Sequence, residues 1–168
     1  MEQLSKGKGK SMVLSAFSSS VIDINRRITV SLGITSSYFA LNNNWSLELR
    51  AALKWKPAAR HSFSLAYGLH SRRERLDYYF VERNVEGQSA SNKYLDFSYA
   101  HHAGLSYDWT VKPNLHVKIE PYYQYLYNIP VEDHTSFSLI NLQDFYLDRV
   151  LTNNGSGKNY GVDVTLEQ

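Results

Sequence analysis

Cysteine is absent from this sequence, which removes disulfide frameworks, thiolate zinc sites and catalytic thiols together. An excess of one charge is missing too. The 18 Lys and Arg stand against 16 Asp and Glu, a net charge of +2, which argues against a general nucleic-acid binder with its basic patch or stripe. No segment approaches the ~18 consecutive apolar residues of a membrane-crossing helix. The polar, basic start from Met1 to Lys10 leads into no hydrophobic region of the secretory kind. A mean hydropathy of -0.41 nevertheless fits two classes, because barrel strands that alternate apolar and polar residues also average out as soluble.

What is present is aromatic and periodic. Aromatic residues make up 14% of the chain, with 13 Tyr and 3 Trp. From Trp45 to Trp55 the odd positions read Trp45, Leu47, Leu49, Ala51, Leu53, Trp55, and the even ones Ser46, Glu48, Arg50, Ala52, Lys54. Period two places the first set on one face of a strand and the second on the other. The same alternation runs through Ile28 to Thr35, Ser62 to Leu69, Ala103 to Val111, Leu115 to Tyr127 and Tyr160 to Glu167, with a weaker strand from Met12 to Val21. These segments predict an all-β, antiparallel up-and-down meander of about seven strands, with no amphipathic helix.

The connections carry a second signal. Asp23–Arg27, Lys56–Arg60 and Lys112–Asn114 are short, and Pro57 and Pro113 stand at turn positions. Leu41–Asn44 and the long stretches Ser71–Tyr99 and Asn128–Asn159 fall at the opposite end of the meander. Short turns at one end and long loops at the other are the pattern of outer-membrane barrels. Trp45, Trp55, Tyr67, Trp109, Tyr123, Tyr125 and Tyr127 share the apolar face and lie toward strand ends, where interfacial girdles sit. Alternation alone suits a soluble all-β ligand-binding module equally, since any antiparallel sheet with one wet face alternates. A small barrel closed by oligomerisation is a third reading. Pro121 predicts a bulge or an unpaired edge in an otherwise central strand. Seven strands fall short of the ~8 of the smallest single-chain barrels, so the expected object is a partial transmembrane outer-membrane β-barrel.

Five stretches, "YFALNNNWSLELRAALKWKP", "HSFSLAYGLHS", "AHHAGLSYDW", "IEPYYQYLYNIPVE" and "NNGSGKNYGVDVTLE", resemble consecutive strands from the later part of TonB-dependent outer-membrane receptors whose N-terminal portion carries carboxypeptidase-regulatory-like and plug regions. The resemblance extends from Phe39 to the end of the chain. It implies a barrel of about 22 strands in the outer membrane, importing an unidentified ligand with energy delivered through TonB. It also implies that residues 1–168 are a fragment of the barrel domain, with no plug and no signal peptide. The partners it implies are outer-membrane lipid and, in an intact receptor, a plug, TonB and the ligand.

Individual residues point to little chemistry. "NNGSGK" at Asn153–Lys158 superficially matches a phosphate loop, but Asn159 follows the lysine and a strand comes next, so a loop end is expected. His101 and His102 point to opposite faces and cannot chelate one ion together, although His70 is placed to meet one of them. No metal site or cofactor is expected from these histidines. Glu48, Glu120 and Asp163 share the polar faces with Arg50, Lys54, His116, Lys118 and Glu167, as in a solvated, charge-paired lumen. A catalytic carboxylate pair among the three is the alternative, and without a nucleophile elbow the chain is expected not to be an enzyme. The ligand-binding candidates are in the long outer loop: Arg72, Arg73 and Arg75, followed by Tyr78, Tyr79 and Phe80, with binding residues concentrating on loops over rigid scaffolds.

Overall fold

The computed structural model describes residues 11–85, 88–135, 137–141 and 149–168; Met1 to Lys10 lie outside them. Strands β1 (Val13–Asn25), β2 (Ile28–Phe39), β3 (Asn44–Ala58), β4 (His61–Arg72), β7 (Ser98–Lys112), β8 (Leu115–Val131) and β9 (Thr152–Glu167) form one antiparallel sheet in sequence order. A separate two-stranded hairpin, β5 (Glu82–Val85) and β6 (Gln88–Ser91), is inserted in the β4–β7 connection. The expected seven-stranded meander is therefore the observed fold.

The register joins the apolar stripes of neighbouring strands into a single face. Ile34 pairs with Leu49, Leu53 with Leu65, Leu65 with Leu105, Tyr107 with Ile119, and Ile119 with Val164. A slip of one residue anywhere would send a whole stripe to the other face. Nothing among the described residues covers this face: Leu65 is 55% exposed and Val164 68%. Among the described residues the buried apolar side chains belong to one end of the sheet, where Phe39, Tyr78, Tyr79, Leu95, Phe97, Leu139 and Leu151 pack together. Each buried Leu or Phe there contributes about 1.5–3 kcal/mol of transfer free energy, so this small core holds the loops rather than the sheet.

Aromatic clusters mark both ends of the apolar face. At the short-turn end Trp55 stacks on Phe63 (5.6 Å between ring centres), Phe63 on Tyr107 (4.7 Å) and His61 on Trp109 (6.0 Å). At the loop end Tyr38 meets Trp45 (4.7 Å), Tyr99 stacks on Tyr127 (5.2 Å), and the Tyr67 hydroxyl lies 2.7 Å from His101 Nδ1. Trp45 and Trp55 bracket the band on β3. Their ten-residue separation spans about 33 Å at ~3.3 Å per residue, which at a tilt of ~40° is a height of about 25 Å, the height of the apolar band in transmembrane barrels.

Three sequence expectations are revised. Strands β8 and β9 run well into the segment read as a loop, and "NNGSGK" lies within β9, not at a loop end. Gly155 makes this pairing possible: a Cβ there would stand 2.6 Å from Val131 Cγ1 and 2.8 Å from the Ile129 carbonyl oxygen, where β8 bulges around Asn128 at positive φ. The Ser71–Tyr99 stretch, read only as a long connection, holds the β5–β6 hairpin and a 3₁₀ turn at Leu76–Phe80. Finally, Pro121 causes neither a bulge nor an edge. It pairs with Val162, and the β7–β8 register is the same on both sides of it, Gly104↔Tyr122 and Tyr107↔Ile119. Only the rungs between those pairs are missing, as a residue without an N–H requires.

Candidate functional site

The second face of the sheet is concave and polar. Even positions of β3, β4, β7 and β8 point into it, and the register aligns them into transverse rows. One row runs across four strands: His70 on β4, His102 on β7, Gln124 on β8 and Asn159 on β9. The His70 and His102 rings meet edge to face at 4.8 Å, the Gln124 amide is 3.3 Å from His102 Nδ1, and Asn159 Nδ2 donates to Gln124 Oε1 at 3.4 Å. Glycine makes room for the large rings. A Cβ at Gly68 would lie 2.6 Å from His70 Nε2, and one at Gly161 would lie 2.7 Å from the Tyr122 hydroxyl. His70, His102 and Gln124, together with Arg50, Phe17 and Tyr122, line a groove of about 910 Å³.

Toward the short-turn end a second groove of about 660 Å³ is lined by Lys54, Asp108, Lys118, Glu120 and Asp163. Glu120 faces Asp163 across the β8–β9 ladder, and Lys118 Nζ is 2.8 Å from Glu120 Oε1. Glu48 is remote from both, with β4 and β7 between β3 and β8. Its carboxylate accepts from Arg50 at 2.7 Å and from the Ser71 N–H (3.1 Å) and hydroxyl (2.8 Å). That contact bridges the place where β4 leaves β3, whose ladder ends at Arg50↔Gly68. Of the three carboxylates considered for catalysis, Glu48 is thus separated from the cross-strand pair Glu120 and Asp163, and the arrangement, with Lys118 on Glu120, is that of a charge-paired wall.

The outer loops meet above this wall. Asn92, 1% exposed, ties them together: its Nδ2 donates to the Arg149 carbonyl and its Oδ1 accepts from Leu151 N–H, both at 2.8 Å. Asn153 repeats the device, accepting from Asp96 N–H and donating to the Asn128 carbonyl, both at 2.8 Å. Arg149 pairs with Glu132 and lies over the Phe137 ring at 4.3 Å. Of the loop residues singled out from sequence, the arginines and tyrosines part company. Tyr78 and Tyr79 are buried in the loop core, 3% and 1% exposed, and in this arrangement offer no surface to a ligand. The periodicity of a strand does not extend into this loop, so nothing in the sequence distinguished packing tyrosines from presenting ones. Arg72 and Arg75 remain exposed, with Arg72 3.9 Å from Glu74 and Arg75 2.7 Å from Asp77. Arg73 lies over the Phe39 ring at 5.7 Å. Sequence reasoning also missed Asn92, Asn153, Tyr122 and Glu74, whose roles depend on contacts between distant segments.

Glu74 sets a pH dependence for the loop assembly. Burial holds its carboxyl above the usual glutamate value of 4.5, against the opposing effects of Arg72 and a 3.4 Å bond from Ser98. A raised folded value favours the protonated form in the folded state, so its contribution is fully present below the unfolded value and is lost as pH rises through the folded one. Amide exchange of the loop segments is expected to quicken as pH rises from about 4.5 beyond the intrinsic trend, and Glu74→Gln is expected to abolish that excess.

Comparison with known proteins bears on the fold. No protein-family model matches the sequence, and no curated protein does so at a significant level. Among solved structures, a mutant of the ferric enterobactin receptor PfeA from Pseudomonas aeruginosa aligns over 93% of this chain with a TM-score of 0.70 at 13% identity. The FrpB iron transporter from Neisseria meningitidis aligns over 92% with a TM-score of 0.64, also at 13% identity. This chain spans 24% and 23% of those two proteins, about a quarter of either. The likeness establishes that the meander has the fold of a segment of such a barrel wall.

Proposed function

We propose that this chain is part of the barrel wall of a TonB-dependent receptor in the bacterial outer membrane, with the uncovered apolar face against lipid and the concave polar face toward the lumen. The observation that carries this reading is the band of about 25 Å between two aromatic girdles, on a single-layer sheet whose apolar core, among the described residues, lies beyond one girdle, among the loops. A soluble module would have to cover that face, because exposed apolar patches this extensive are rare on soluble monomers. The likeness to the two iron receptors supports the same reading.

In the intact receptor the outer loops would capture the ligand, with Arg72, Arg73 and Arg75 placed to meet an anionic group. The lumen wall would then line its path after movement of a plug, driven through TonB. No catalytic role is proposed for any residue. The chain is expected to need detergent or lipid to remain monodisperse, tested by light scattering during detergent removal with and without lipid vesicles. A stable monomer in plain buffer would contradict the proposal. Cells producing only residues 1–168 are expected to show no energy-dependent iron uptake above background; robust energised uptake would refute the division of labour between wall and plug.

A further inference from the structure

We propose that His70 and His102 form a binding site for one borderline divalent cation, Cu²⁺ above Ni²⁺ or Zn²⁺, on the concave face of the sheet. The two residues sit diagonally on adjacent strands, since His102 pairs with Gly68 and His70 with Ala100. Their ring centres are 4.8 Å apart with planes inclined at 66°. In a complex each ligating nitrogen stands about 2.0–2.1 Å from the metal and the ring centre about 1.1 Å beyond it. Two such ligands separated by about 95–110° at the metal hold their ring centres about 4.7–5.2 Å apart, and the observed distance falls in that range.

The surroundings fit the same assignment. Gly68 leaves the space into which the His70 ring folds, with Nε2 2.6 Å from where a Cβ would stand and so closed off by that backbone, which leaves Nδ1 as the His70 nitrogen that would meet the ion. Gln124, 3.3 Å from His102 Nδ1, is positioned as an outer partner. With the Gln124 and Asn159 amides both turned, so that Asn159 Oδ1 accepts from Gln124 Nε2, the Gln124 oxygen accepts Nδ1–H and leaves the Nε2 lone pair for the metal. The nearby cation, Arg50, is neutralised by Glu48 at 2.7 Å. His101 takes no part, because it lies on the apolar face bonded to Tyr67.

No set of three or more His, Cys, Asp or Glu among the described residues is close enough to hold an ion. The site therefore offers two imidazole nitrogens and leaves its other positions to water or to donor atoms of an arriving molecule. Imidazole without carboxylate selects against Mg²⁺ and Ca²⁺, which take oxygen ligands, and the general affinity order of divalent ions puts Cu²⁺ first. This inference is independent of the transport proposal, since it needs only the concave face to be accessible to solvent.

The test is titration of Cu²⁺ into the full chain in detergent, with His70→Asn, His102→Asn, Gln124→Leu and His116→Asn as variants and folding checked by far-ultraviolet circular dichroism. One Cu²⁺ per chain is expected, with paramagnetic-resonance splitting from two nitrogens. Loss of saturable binding is expected in each of the first two variants, weakening by about ten-fold in Gln124→Leu, and no change in His116→Asn. Should a variant fail the folding check, protection of His70 and His102 in the wild-type chain from diethyl pyrocarbonate by Cu²⁺, read by mass spectrometry, decides the matter. Unchanged affinity in a folded His70 or His102 variant, no saturable binding by the wild type, or no protection of these two rings would overturn the proposal.

Discussion

Arginine in place of Leu49 or Leu105 is expected to cost about 2–4 kcal/mol of stability in a bilayer, whereas arginine in place of Ser64 or Ser106 is expected to cost little. The two leucines lie near the middle of the band between the girdles, Leu49 paired with Ile34 and Leu105 with Leu65, and both are close to half exposed. Ser64 and Ser106 pair with each other on the concave face and line the groove that holds Lys54, Asp108 and Lys118. The cost arises because a guanidinium at mid-membrane depth must be dehydrated or must draw water into the bilayer. In water the same leucine replacements would remove exposed apolar surface and improve solubility. The sign of the effect therefore separates the two environments, and urea titration of the four variants in lipid vesicles measures it. Equal tolerance on both faces would contradict a lipid-facing apolar surface.

The second large effect concerns the loops. Asn92→Ala is expected to release the loop assembly at a cost of about 2–6 kcal/mol while leaving the sheet intact. The side-chain amide satisfies Leu151 N–H and the Arg149 carbonyl, and its removal leaves two backbone groups without partners at about 1–3 kcal/mol each where they are buried. Other links among the described residues also join these segments. The Asn42 amide reaches the Leu95 carbonyl at 2.7 Å and Asn153 joins Asp96 to Asn128. Amide exchange should show loss of protection in the segments around Val81, Leu95 and Leu151, with β2, β3 and β7 unchanged. Retention of that protection would mean that the apolar cluster alone holds the loops.

On the proposed membrane reading, how far the fold was legible follows from where lipid would act on the sequence. Between the girdles every second residue must be apolar, so the strands from Ile28 to Thr35, Trp45 to Trp55 and Leu115 to Tyr127 announced themselves by period. Beyond the loop-end girdle both faces meet water or other loops, and the alternation fades although pairing continues. That is why Ile129 to Val131 and Thr152 to Asn159 read as loop and fold as strand. The glycines of "NNGSGK" carry no periodic signal, and the need for Gly155 follows only from its approach to the bulge in β8. The same reasoning separates the histidines. That His101 and His102 face opposite ways is a property of any strand, whereas the contact between His70 and His102 depends on a register across a connection of more than two dozen residues. Arg72, Arg73 and Arg75 were recognisable as an exposed basic cluster, but the burial of Tyr78 and Tyr79 depends on Phe39, Leu95 and Phe97, supplied from elsewhere in the chain.

The chain's three tryptophans, Trp45, Trp55 and Trp109, all lie on the apolar face at the girdles, and this supplies the most direct test of the central claim. Their fluorescence should be measured in vesicles of lipids brominated at different depths along the acyl chain, alongside quenching by aqueous acrylamide. The expected result is strong quenching by bromines near the headgroups, weaker quenching by bromines at the chain ends, and little access for acrylamide. Full acrylamide access with no quenching by any brominated lipid would place these residues in water, and the apolar face would then not be a membrane surface.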